Sequence, residues 1–196
     1  FAARYHHLGF RVADETIELM TTIANSGELN SLIAERIWQE MSRSLADKDA
    51  EVFFQTLRRC QALKQIWPDL DNLWGIPNPA QWHPEICSGL HTMMVLQQAC
   101  LLTEEIPDKS NDKISIRFAA LCHDLGKTLT PIQHYPSHQG NEKSGLIVVE
   151  KACQQFKVQN KIKQLALLVC EFHLHCHKAL ELKAKTLLKL FNVLDI

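Results

Sequence analysis

Apolar residues recur along most of the chain at intervals of three and four, the spacing that places side chains on one face of an α-helix. Ile17, Met20 and Ile23 follow this spacing near the start, and Ile37 and Met41 follow it further along. We find no segment with the strict apolar–polar alternation of a half-buried strand. The pattern therefore predicts an all-α protein.

Start and stop signals divide this pattern into separate helices. Asp14 is a predicted N-cap for the first amphipathic helix, which Gly27 closes, and a later helix is expected to end before Pro68. In the second half, the expected helices cover about 88–102, 114–125, 144–156, 161–177 and 184–195.

The stretch PDLDNLWGIPNPAQWHPE interrupts the helical pattern and predicts a domain boundary. It carries four prolines, which end helices and favour turns. We therefore expect a small helical part over residues 1–75 and a helical bundle over residues 76–196.

Composition limits the classes of protein that the chain represents. The 196 residues are 46% hydrophobic, with a mean hydropathy of −0.14 and a formal charge of −1. We predict a globular chain without membrane spans; the charge does not favour a strongly basic surface for nucleic acid, although a local patch is compatible with it. Seven cysteines without a C-x-x-C pair favour free thiols in a reducing cytoplasm. Because the chain begins with Phe1 rather than Met, we expect a piece of a longer protein.

The segment ALCHDLGK carries the candidate chemistry. His123 and Asp124 end an apolar run, and they are either a solvated helix end or two ligands of one metal ion. His91 and Asp195 offer further ligands from other predicted helices, the way in which helical bundles build metal sites. Two imidazoles and two carboxylates suit Mn, Fe, Co, Ni or Zn better than Ca, with Mg held weakly. Lys127 is either a partner for a phosphate oxygen or a cation at a helix C-terminus.

Two other segments have open interpretations. In HLHCH, His173 and His177 share a helix face and either form a polar helix end or line a phosphate pocket. Trp74, Trp82 and His83 either pack at the domain boundary or stack on bases. The first third of the chain also holds most of the arginines, which are consistent with a phosphate-facing surface or with solvated helix faces. These arginines are Arg4, Arg11, Arg36, Arg43, Arg58 and Arg59.

The order His91, His123-Asp124, Asp195 resembles the pattern of the HD-domain phosphohydrolases. The segments FAARYHHLGF, ERIWQEM, WHPEI, GLHTMMVL and LLKLF…LD resemble, over essentially the whole chain, the bacterial multifunctional CCA proteins. These are CCA-adding tRNA nucleotidyltransferases with a C-terminal HD domain.

The resemblance implies that residues 1–75 help to hold tRNA and that residues 76–196 form a C-terminally truncated HD domain. It also implies phosphatase, 2′-nucleotidase and 2′,3′-cyclic phosphodiesterase activity that depends on a divalent ion, Ni, Mn or Mg. By position, His91, His123, Asp124 and Asp195 are the metal ligands, and Asp124 and Lys127 act in catalysis. A cytoplasmic monomer or homodimer with a role in tRNA 3′-CCA addition and repair is expected.

Two departures from the family pattern matter. The Gly-Ser turn and paired aspartates of the nucleotidyltransferase head are missing, so the addition of CTP and ATP is not expected of this piece. Asn141 stands where many HD proteins have a histidine, which puts a second metal in doubt; His138 is a candidate substitute. The rival hypotheses are a tRNA-binding scaffold with a degenerate HD bundle and an HD hydrolase of free nucleotides.

Overall fold

The structure, a computed structural model, describes residues 1–81, 84–85, 87–106 and 112–194. Within these ranges the regular elements are helices, and the only β-type pairing there is an isolated bridge between Pro77 and Cys87. The all-α prediction is confirmed. Among these same residues, no helix is both long enough and apolar enough to cross a bilayer.

The helices fall into two groups on either side of the proline-rich segment. Before it come α1 (Ala2–His6), α2 (Asp14–Asn25), α3 (Ala34–Ala46), α4 (Ala50–Arg59), α5 (Ala62–Ile66) and α6 (Pro68–Asp71). After it come α7 (Ser88–Leu102), α8 (Asp112–Cys122), α9 (Asn141–Phe156), α10 (Asn160–His177) and α11 (Ala184–Leu194).

Several helix ends differ from the predicted ones, among them those of α2, α4 and α8. Ala13, not Asp14, occupies the N-cap position of α2 in extended conformation, and Asp14 is the first helical residue. Gln61 adopts a left-handed backbone with φ of 61°, which separates α4 from α5 where we expected one continuous helix. The helix expected to reach Leu125 ends at Cys122, and a 3₁₀ helix, Leu125–Leu129, follows it.

One hydrophobic core contains residues from both sides of the predicted boundary. Trp67 stacks on Phe118 with ring centroids 5.9 Å apart and meets the edge of Phe156 at 5.3 Å. Trp38 meets the same Phe118 edge-on at 5.2 Å. Because such aromatic contacts need close packing, the two helical groups are held against each other.

The bundle is tightest where the 3₁₀ helix passes α9. A Cβ atom added to Gly126 would lie 2.7 Å from the backbone nitrogen of Gly145, and one added to Gly145 would lie 2.6 Å from Cys170 Sγ. Only glycine fits at these two positions without displacing backbone or sulfur. This approach brings α9 and α10 beside the segment that follows α8.

Arg117 is a buried cation that ties the two helical groups together. Its side chain is 1% exposed. It donates hydrogen bonds to the carbonyl oxygens of Leu45 at 2.7 Å, Asp47 at 2.8 Å and Cys100 at 3.0 Å, and to Thr103 Oγ1 at 2.8 Å. One guanidinium thus satisfies the acceptors at the end of α3 and at the end of α7.

We expect Arg117→Met to lower the free energy of unfolding by about 3–5 kcal/mol, because the buried acceptors lose their donors. Urea denaturation followed by circular dichroism measures the change. The matched control is Arg43→Met at an exposed position, for which we expect a change within about 0.5 kcal/mol. Equal losses in the two variants would contradict a structural role for the buried guanidinium.

Candidate metal centre

The candidate site lies immediately after α8, whose last residues are packed in the core. His123 and Asp124 follow Cys122 and are only 7% and 3% exposed. Asp124 has left the helical conformation, with φ of −113° and ψ of 9°, and it precedes the 3₁₀ helix Leu125–Leu129. The histidine and the aspartate are therefore buried in the bundle, and the alternative of a solvated helix end is excluded.

His91 reaches the same place from the first turn of α7. Trp74 packs on Gly89, where an added Cβ would lie 2.6 Å from Trp74 Cγ, and this contact positions the start of the helix. His91 Nε2 lies 3.8 Å and His123 Nε2 lies 3.1 Å from Asp124 Oδ2. His91, His123 and Asp124 each offer a ligand atom, and these atoms all lie within 4.8 Å of one another.

Both imidazoles are oriented by a contact on the opposite side of the ring. His123 Nδ1 lies 2.7 Å from the carbonyl oxygen of Ala120, and His91 Nδ1 lies 2.6 Å from Glu85 Oε1. A carbonyl oxygen has no proton to give, and an ionised carboxylate only accepts, so in each ring Nδ1 is the donor. The neutral tautomer then presents a lone pair on Nε2, which is the arrangement that metal-ligating histidines show.

The charge of Asp124 is maintained by its neighbours. Burial disfavours the ionised carboxylate, but His123 and Lys127, whose Nζ lies 2.7 Å from Oδ2, outweigh burial and hold the pKa of Asp124 well below its usual range. Burial likewise opposes the protonation of His123, yet the Asp124 carboxylate raises the pKa of this imidazole. Asp124 is therefore an anion in a region of low solvent exposure.

The other carboxylate oxygen of Asp124 faces α9 and α10. Asn141 Nδ2 lies 3.4 Å and His173 Nε2 lies 3.7 Å from Asp124 Oδ1. Burial, together with the neighbouring His123, lowers the pKa of His173. His177 is exposed, one turn further along α10, with its ring centroid 6.5 Å from that of His173. Of the two histidines singled out in HLHCH, His173 adjoins the Asp124 cluster, whereas His177 is at its edge.

A second polar chain leads from Lys127 back to the proline-rich segment. The Lys127 ammonium donates to Asn78 Oδ1 at 3.0 Å, and Ser88 Oγ donates to the same oxygen at 2.8 Å. His138 lies close by and donates through Nε2 to the carbonyl oxygen of Pro77 at 2.8 Å. His138 thus contacts the backbone, while Asn141 is the residue that touches Asp124.

The structure brings together four of the residues named from the sequence, His91, His123, Asp124 and Lys127. Asp195 lies outside the described residues, as do Trp82 and His83. Trp74 is a packing residue against Gly89, and Arg58 lies over its ring at 4.8 Å.

Sequence reasoning missed Glu85 and Asn78, which orient His91 and Lys127. The only signal for Glu85 was its place in WHPEI, six residues before His91. Asn78 stood between two prolines, where no periodicity indicates which way a side chain points.

The donor set suits a divalent cation. When both imidazoles are neutral, two Nε2 lone pairs and an ionised carboxylate converge, and each imidazole has its Nδ1 held by an acceptor. Imidazole and carboxylate together are typical ligands of Mn, Fe, Co, Ni and Zn.

Comparison with protein families is consistent with this geometry. The HD domain family model matches residues 89–195, and the chain belongs to this family. A second family model, described as the probable RNA and SrmB- binding site of polymerase A, matches residues 9–73.

The chain is also similar along its length to individual proteins called multifunctional CCA protein. It is 53% identical over 196 residues to the one from Pasteurella multocida, which covers all of this chain and 46% of that protein. It is 50% identical over 192 residues to the one from Shewanella frigidimarina, which covers 98% of this chain and 44% of that protein. The chain thus spans less than half the length of these relatives.

We expect Glu85→Gln to weaken the binding of Mn²⁺ by about 10–100-fold, because a carboxylate that orients a ligating imidazole also raises its basicity. Isothermal titration of the metal-stripped protein with MnCl₂ measures the dissociation constant. The control is Glu105→Gln, an exposed position away from the cluster. An unchanged constant for Glu85→Gln would show that the contact with His91 has no part in ion binding.

Proposed function

We propose that the HD bundle, residues 76–196, is a metal-dependent phosphohydrolase in which His91, His123, Asp124 and Asp195 hold one divalent ion. The observation that carries the proposal is the convergence of ligand atoms from His91, His123 and Asp124 within 4.8 Å. Nickel, manganese and magnesium are the candidate ions. Asp195 enters by its place in the HD pattern.

A divalent ion at this position would polarise a phosphoryl oxygen and lower the pKa of a bound water. Hydrolysis adds the water oxygen to phosphorus and breaks the bond from phosphorus to the ester oxygen. One proton of the water goes to the departing oxygen, and the other stays on the product phosphate or passes to solvent. Asp124, held ionised by His123 and Lys127, accepts a hydrogen bond from the attacking water and so orients it.

The surrounding side chains favour a phosphate over a neutral substrate. Lys127 adds a positive charge 2.7 Å from Asp124, and His173 Nε2 lies 3.7 Å from the same carboxylate on its other side. A cation placed beside the ion attracts the anionic oxygens of a phosphate group. We assign Lys127 to the substrate phosphate and His173 to the lining of the phosphate pocket.

The proposed substrates are 2′,3′-cyclic phosphates, 2′-phosphates and other phosphate monoesters of nucleotides, including those at a tRNA 3′ end. Similarity to the multifunctional CCA proteins supports the link to tRNA. The ligand set determines the chemistry and not the leaving group, so a hydrolase of free nucleotides is the alternative within the same class.

The assay for the proposal is the hydrolysis of 2′,3′-cyclic AMP with added Ni²⁺ or Mn²⁺. We expect Asp124→Asn to lower kcat by about a hundredfold or more, because the neutral amide weakens the hold on the ion and no longer orients the water.

The matched control is His134→Ala, an exposed histidine in the 3₁₀ helix Ile132–His134, which should keep the activity of the parent protein. Turnover by Asp124→Asn equal to that of the parent, or no turnover of any substrate in a panel of phosphate esters, would contradict the enzymatic proposal. In that case the scaffold alternative remains.

We further propose that residues 1–75 form a tRNA-binding body. The RNA-binding family model covers most of this range, and the segment is rich in arginines. Arg36 and Arg43 are two turns apart on α3 and line one open groove beside Trp38. Arginines on one helix face can contact successive phosphates of an RNA backbone.

We expect the double change Arg36→Gln and Arg43→Gln to weaken tRNA binding and to reduce the salt dependence of the binding constant by about one to two phosphate contacts. Filter binding or fluorescence anisotropy over a range of KCl concentrations measures both quantities. Lys143→Gln, an exposed change on α9, is the control. Loss of tRNA binding to the parent protein on addition of EDTA would instead place the RNA contact at the metal centre.

A further inference from the structure

The ammonium of Lys127 contacts the oxygen of Asp124 that faces the two candidate ligand imidazoles. Its Nζ lies 2.7 Å from Oδ2, the same oxygen that lies 3.1 Å from His123 Nε2 and 3.8 Å from His91 Nε2. The lysine side chain is only 7% exposed, so water screens this pair weakly. In the absence of a divalent ion, the ammonium is, together with His123, a counter-charge of the buried carboxylate.

Asn78 gives the ammonium a second hydrogen-bond acceptor. Its Oδ1 accepts from Lys127 Nζ at 3.0 Å and from Ser88 Oγ at 2.8 Å, and the residue is 6% exposed. Its Nδ2 is buried and has no hydrogen-bond partner within the described part of the chain. An aspartate of the same shape would therefore keep both contacts and lose no hydrogen bond.

The neutral amide of Asn78 binds the ammonium of Lys127 more weakly than an aspartate would. A carboxylate at position 78 would bind the ammonium much more strongly than an amide oxygen does. With Asn78, the charge of Lys127 is drawn mainly to Asp124, and the amide holds the ammonium beside the site without fixing it there.

We infer that Lys127 is an internal counter-ion that exchanges with the divalent ion on Asp124. We further infer that Asn78, held by Ser88, is the positioning residue that keeps the displaced ammonium beside the substrate phosphate. This inference rests on the proposed function and deepens it. The affinity of the site for the ion is then set by competition with a lysine of the same chain.

If the exchange occurs, replacing Lys127 should change the melting temperature of the metal-free protein and the affinity for the divalent ion in opposite directions. Without the ammonium, the metal-free protein carries a buried carboxylate with less compensation, so its melting temperature should fall. The divalent ion no longer has to displace a cation, so its affinity should rise. A lysine that only contacted the substrate would change neither quantity.

The first test compares Lys127→Met with Lys143→Met, an exposed lysine on α9, by calorimetric titration with MnCl₂ and by thermal melting in EDTA. We expect Lys127→Met to bind Mn²⁺ about tenfold more tightly or better, and to melt at a lower temperature in EDTA. Lys143→Met should match the parent protein in both. Equal or weaker Mn²⁺ binding by Lys127→Met would overturn the exchange.

A second variant keeps the lysine and changes its alternative partner. In Asn78→Asp, the new carboxylate should draw the ammonium away from Asp124, so Mn²⁺ affinity should rise. Combined with Lys127→Met, the same change should have a smaller effect, because no ammonium is left to relocate. An equal effect in both backgrounds would overturn the role of Asn78.

These measurements separate the inference from the proposed function. Opposite shifts of affinity and stability without any phosphate hydrolysis would support the exchange and contradict the hydrolase. Hydrolysis by the parent protein with no change of Mn²⁺ affinity in Lys127→Met would support the hydrolase and contradict the exchange. Failure of every variant to bind Mn²⁺ would contradict both.

Discussion

A carboxylate buried at the end of an apolar bundle is the constraint on which the arrangement of the C-terminal helices depends. Asp124 is 3% exposed, and an ionised group in such a place is costly unless other groups compensate its charge. The charge is compensated by the adjacent His123 and by Lys127, and further polar groups surround the carboxylate. The groups around Asp124 are His91 from α7, Lys127 from the 3₁₀ helix, Asn141 from α9 and His173 from α10. Each of these helices is therefore positioned by polar contacts as well as by its apolar face.

The polar groups can converge on Asp124 only if the helices pack closely and α8 is held rigidly. Gly126 and Gly145 allow the 3₁₀ helix and α9 to approach at backbone distance, which places Asn141 against Asp124. Arg117 holds the middle of α8 against the ends of α3 and α7, and the ring of Phe118 packs between Trp38 and Trp67. Residues on both sides of the predicted boundary thus stabilise the helix that ends in the His-Asp pair. Packing in the first part of the chain and geometry at the candidate site are consequently parts of one core.

The sequence predicts those parts of this structure that follow from local periodicity. The helix expected at about 88–102 is observed as Ser88–Leu102. Its apolar positions and its flanking polar residues indicate the same two ends. The histidine and aspartate were recognised because they follow an apolar run. Glu85 and Asn78 were not, since the direction of a side chain in a proline-rich segment is set by what packs around it. His173 and His177 share a helix face, but four residues advance about 6 Å along the axis. Only the nearer one contacts Asp124, and sequence alone does not show where that axis passes.

The two oxygens of Asp124 are not equivalent, and this asymmetry bears on how many ions such a site holds. Oδ2 faces His91, His123 and the ammonium of Lys127, so it is the oxygen at which the proposed exchange of cations would take place. Oδ1 faces the amide of Asn141, whose Nδ2 is a donor and has no lone pair to offer a metal. A histidine at position 141 would bring a ligand nitrogen to that side, next to His173. With asparagine there, a donor covers the Oδ1 side of the carboxylate, which fits the proposal of a single divalent ion.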